Sequence, residues 1–110
     1  MKRKLLPLAD IIERENDFLL VSEFPGVSKD TLEIEIEKGI LKIKGAPDFK
    51  TDENWKTIYR EFSDNYQFER SFELGNQVDT TNIKAKIENG VLVLVLPKSE
   101  EVKPRKIKIA

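Results

Sequence analysis

Any chemistry in this 110-residue chain would have to come from twenty carboxylates, nineteen lysines and arginines, and scattered hydroxyls, because there is no histidine and no cysteine. Thiol nucleophiles and disulfides are therefore excluded, and the commonest general base and metal ligand is missing. Serine has no histidine to activate it. A metal would need an all-oxygen cage, and no calcium-loop spacing is present. Gly39 and Gly45 stand alone as turn glycines and do not form a phosphate loop. Most carboxylates alternate with apolar residues or lie in loops, so a solvated face accounts for them. Paired carboxylates for glycoside hydrolysis would also need a cleft, which only a structure can show. These residues point to no enzyme class, and no cofactor or metal is expected.

The formal net charge is -1, which gives no global field for nucleic acid or an anionic membrane. Trp55, Tyr59, Phe62, Tyr66 and Phe68 could stack on bases. Their segment mixes acidic and basic residues, which is poor for tracking phosphates, so packing against a sheet or a partner chain is the preferred reading. No apolar run approaches the roughly 18 residues of a membrane span. The basic opening is followed by too short an apolar stretch for a signal peptide, and the expected location is the cytoplasm. The length fits one domain, with a core that partner chains could complete.

The elements that must position these residues follow a period of two. In Leu32-Glu33-Ile34-Glu35-Ile36-Glu37 apolar and acidic residues alternate strictly, so one face is buried and the other wet. Lys38-Gly39 turns the chain, and Leu41-Lys42-Ile43-Lys44 repeats the alternation with lysines. Glutamate facing lysine across this hairpin would add roughly 0.2–1 kcal/mol per pair and would specify the register. Residues 10–13 and 18–22 read as two further strands, and the chain then breaks at Pro25-Gly26. Residues 46–64 are the least regular, with a short strand expected near 57–61. Residues 66–74 alternate again, as do 83–87. Asn89-Gly90 is a strong hairpin signal. After it, Val91 to Leu96 is apolar at every position, as in a strand buried on both faces. Pro97 ends that strand, and a charged tail follows, closing on Ile107-Lys108-Ile109. About eight short strands with turn signals between them make an all-β, antiparallel, immunoglobulin-like sandwich with a long strand-bearing loop.

Ala85-Lys86-Ile87-Glu88-Asn89-Gly90-Val91-Leu92 resembles the A-x-x-x-N-G-V-L signature of the small heat-shock protein family. Phe24-Pro25-Gly26-Val27 is similar to the family's Pro-Gly turn, residues 66–74 to its arginine-bearing strand, and Ile107-Lys108-Ile109 to its C-terminal I-x-I motif. The resemblance covers about residues 8–110. Gly75 departs from it, standing where the family usually has proline. So does the N-terminus, where only about nine residues precede the first strand; fully extended they would reach about 30 Å. Large cages are not expected.

The resemblance implies an α-crystallin domain over residues 9–98, between a short arm (1–8) and a tail (99–110). It implies an ATP-independent holdase that binds partly unfolded proteins, with a co-chaperone-like adaptor on the same sandwich as the alternative. Ile34 and Ile36 with Ile83 and Ala85 would line a groove for the tail motif, Ile107 and Ile109, or for a client; facing the sandwich core is the even alternative. A homodimer by strand exchange would pair residues 57–61, with Ile58, Tyr59 and Arg60, against residues 10–13, with Ile11 and Ile12. A small oligomer could form from such dimers. Arg70 would join a charge cluster at that interface, or else be an exposed surface arginine.

Overall fold

The computed structural model describes residues 3–48, 66–100, 102–104 and 107–109. Two four-stranded sheets form an all-β sandwich. Its strands are β1 (Arg3–Leu5), β2 (Ala9–Glu13), β3 (Asp17–Glu23), β4 (Leu32–Glu37), β5 (Ile40–Gly45), β6 (Tyr66–Glu73), β7 (Lys84–Glu88) and β8 (Val91–Pro97). One sheet runs β1-β6-β5-β4 and the other β2-β3-β8-β7. Residues 57–61, where a strand was expected, lie outside the described residues.

The hairpin alternation sets the register. Glu33 lies opposite Lys44 and Glu35 opposite Lys42, while Ile34 meets Ile43 and Ile36 meets Leu41. Leu41 and Ile43 are fully buried. Pairing places Phe72 opposite Leu41, Arg70 opposite Ile43 and Phe68 opposite Gly45, so these three residues of β6 face the core. From the other sheet come Leu20, Leu92, Leu94 and Leu96, all essentially inaccessible. Phe24 joins them, edge-on to Phe68 at 6.0 Å between centroids. Lys38 and Asn89 both adopt positive φ, 51° and 53°, each before a glycine at positive φ, the two-residue turn that matches strand twist.

Three features differ from the sequence expectation. Arg3–Leu5, read as part of an arm, adds to β6 as a parallel strand, so the pairing is not wholly antiparallel. Val91 to Leu96 is buried on one face only. Its leucines face the core, whereas Val93 and Val95 are half-buried and Val91 is exposed, because they point to the outer side of their sheet. The strand also extends through Pro97, whose carbonyl accepts from the Asp79 N–H at 2.8 Å. Gly75, where the family prefers proline, has φ of 57° and donates its N–H to the Gly39 carbonyl at 3.1 Å. Proline has neither that φ nor that donor.

Gly45 sits on the inner face of β5, where an added Cβ would lie 2.8 Å from Val27 Cγ1 and 3.2 Å from Phe24 Cδ1. Gly45→Ala should therefore destabilise the domain by about 1–3 kcal/mol through overpacking. The check is the urea midpoint of unfolding, which should fall.

Candidate functional site

Two stacked sheets leave two open margins between them. At one margin Ile11 of β2 and Glu73 of β6 border the same cavity. There Arg70 points inward between Phe68 and Phe72, donates from Nη1 to the Pro7 carbonyl at 3.5 Å, and holds its guanidinium 5.2 Å from the Phe72 ring centroid. Ile11, Phe18, Leu74, Val78 and Leu96 help line a cavity of about 210 Å³ at the same seam. Lys98 bridges to Val78, one of the cavity's lining residues. Although only 7% exposed, its ammonium reaches Glu13 at 3.1 Å and lies 5.2 Å from the Phe18 centroid. The end strands of the opposite margin are then β4 and β7.

The β4/β7 margin is different in kind. Ile34 and Ile36 face inward from β4 and are half-buried, packing against the core cluster. Facing the core and lining a groove are not alternatives here, because β4 is the last strand of its sheet. Ile83, just before β7, and Ile87 pack on the same cluster from the other side. Ala85 stands between them, opposite Leu94, and is exposed. Ile87 was not singled out from the sequence, yet it shares the parity of Ile83 and Ala85, and that signal would have found it. No charged side chain points inward along β4 or β7 among the described residues. Among the described residues each strand also has one side of its backbone outside the ladder, able to accept a further strand.

The remaining candidates are dispersed. Ile107 and Ile109 are 88% and 92% exposed, so the tail motif does not pack on its own sandwich. Ile11 and Ile12 are both half-exposed on β2, an end strand. They point to opposite faces, since Ile11 pairs with buried Leu20 and Ile12 with Leu19. Ile58, Tyr59 and Arg60 lie outside the described residues. Among the described residues no acidic cluster could hold a metal, and no helix is long and apolar enough to cross a membrane.

The model of the Hsp20/alpha crystallin family matches residues 10–110. Small heat shock protein C2 of Rickettsia felis is 33% identical over 108 residues, covering 98% of this chain and 70% of the relative. Small heat shock protein C4 of the same organism is 35% identical over 109 residues, covering 96% of this chain and 65% of the relative. Among solved structures, a small heat-shock protein from Xylella fastidiosa superposes with a TM-score of 0.67 at 31% identity, covering 94% of this chain and 95% of that one.

The start of β7 is anchored by the loop before it. Asp79 accepts from the Thr81 hydroxyl at 2.6 Å, the Asn82 amide at 2.8 Å and the Thr81 N–H at 3.1 Å. These donors, the Thr81 hydroxyl first, hold its pKa below the ordinary carboxylate value. A depressed folded pKa gives stability that is complete above the unfolded value and is lost as pH falls through the folded one. Asp79→Ala should lower the thermal midpoint at pH 7, and the gap from the parent should narrow below about pH 4. Thermal unfolding across a pH series checks both signs.

Proposed function

This chain belongs to the Hsp20/alpha crystallin family, and from that membership, which carries a general chaperone role, we propose that it is an ATP-independent holdase acting in the cytoplasm. It binds partly unfolded proteins and keeps them from aggregating. One observation carries this reading: two end strands, β4 and β7, share a margin lined by Ile34, Ile36, Ile83, Ala85 and Ile87, while the chain's own Ile107 and Ile109 stand in solvent. An exposed backbone edge above an apolar strip suits an extended, unfolded segment. The edge supplies hydrogen bonds that any sequence can make, and the strip selects alternate apolar side chains.

The tail motif of another copy is the natural competitor for that margin. Burying two isoleucines contributes roughly 1.5–3 kcal/mol each, and ordering the tail and joining the chains consumes much of it. A single docked tail is thus weak and exchangeable, as a reversible cover must be. Within this reading residues 9–98 are the folded module, 1–8 its arm and 99–110 the docking tail. Dimers form by strand exchange at β2, whose place at the end of its sheet and half-exposed Ile11 and Ile12 support the idea. The inward Arg70 belongs to that margin, and small oligomers follow from tails docking between dimers.

Two measurements test this. Heated with an aggregating client and no nucleotide, the protein should suppress turbidity; unchanged turbidity at equimolar or higher ratio would end the holdase reading. By light scattering, a version ending at Ser99 should have a lower assembly mass than the intact chain. Equal masses would remove the docking role of the tail.

A further inference from the structure

The charges on β4 have a counterpart in the tail. Glu33, Glu35 and Glu37 all point to the outer face and are exposed, between the inward Leu32, Ile34 and Ile36. On its paired side β4 meets β5, which reads Leu41-Lys42-Ile43-Lys44 and sets lysine opposite glutamate twice. Among the described residues nothing pairs with it on its open side. Lys106-Ile107-Lys108-Ile109 repeats the β5 alternation at the end of the chain, and Ile107, Lys108 and Ile109 are all exposed.

Resting on the groove reading above, we propose that the β4/β7 margin selects its occupant by charge. It takes a segment in which isoleucine alternates with lysine, added as a strand to the open edge of β4, and that occupant is residues 106–109 of a second copy. With the isoleucines turned into the groove, the lysines fall on the outer face beside Glu33, Glu35 and Glu37. This holds whichever way the tail runs, because the period of two is unchanged by direction. The glutamates have capacity for it. Lys42 lies 3.5 Å from Glu69 of β6, and among the described residues no ion pair joins a cation to Glu33, Glu35 or Glu37.

The same charges exclude other pairings. Two β4 edges brought together would set glutamate against glutamate, which blocks sheet-to-sheet association of copies. Strand β7 turns Lys84, Lys86 and Glu88 outward, all exposed, and Lys86 lies 3.3 Å from Glu88, so a lysine-bearing tail meets a net positive edge there whose carboxylate already has a partner. Residue alternation alone would suit either edge of the groove; the charges assign the tail to β4. Because these pairs are exposed, the selection weakens with salt.

The test titrates a fluorescent peptide of residues 100–110 into the full chain carrying I107S/I109S, whose own tail no longer competes. The parent peptide should bind, more weakly as salt rises, and a K106E/K108E peptide should bind roughly tenfold more weakly at low salt. In a full-chain acceptor also carrying E33Q/E35Q/E37Q, the two peptides should become equal. Equal binding of both peptides to the unaltered glutamate edge would overturn charge selection and leave the groove standing. No binding of the parent peptide, or equal binding of a peptide carrying I107S/I109S, would overturn the groove itself.

Discussion

The sandwich depends on the register of its alternating strands. A slip of one residue between β4 and β5 would turn Ile34 and Ile36 outward and bring Glu33, Glu35 and Glu37 to the core face. Burying even one unpaired carboxylate costs far more than an exposed cross-strand pair returns. Apolar burial therefore holds the register, and setting lysine opposite glutamate across the hairpin keeps like charges apart. The opposite sheet is held likewise, with Leu92, Leu94 and Leu96 inside and the valines outside.

Register also determines what the edges present. Because side chains alternate, a strand that commits its isoleucines to the core has committed its charges to the outer face. Among the described residues two open sheets have four end strands, and the chain treats them differently. Strand β1 covers β6 by parallel pairing. Three glutamates guard β4, and two lysines with one glutamate guard β7. Charge on an exposed edge is a common defence against indiscriminate pairing. In the proposed groove the two edges thus differ in net charge, negative on β4 and positive on β7.

Much of this was legible as pattern. The hairpins at Lys38-Gly39 and Asn89-Gly90 combine a turn signal with alternation on both sides, and local rules suffice for both. Other features have no local signature. Val78 is buried through a single bridge to Lys98, and one residue has no period. Arg3–Leu5 is a strand only because β6 offers it an edge. Lys98 is buried because Glu13, 85 positions away, and the Phe18 ring meet its ammonium. For Arg70 the parity with Phe68 and Phe72 was visible, but an arginine in an apolar series reads as an exception to the face. Of the groove, the apolar residues could be placed on strands from sequence; that β4 and β7 share one margin is a property of topology.

The two margins divide the work by dielectric. At the β2/β6 side Arg70 and Lys98 face inward, each against an aromatic ring. Such contacts are worth about 0.5–2 kcal/mol, and they are lost if an apolar ligand displaces the cation without offering it a partner. That margin therefore resists casual apolar occupants and suits a fixed partner that satisfies both charges. At the β4/β7 side no charge points inward among the described residues, so an isoleucine can enter without stripping water from an ion. Its apolar burial is the main gain, and it is given back on leaving. The proposed strand exchange and the proposed exchangeable docking thus sit on opposite sides of one core, separated by where the chain places two inward cations.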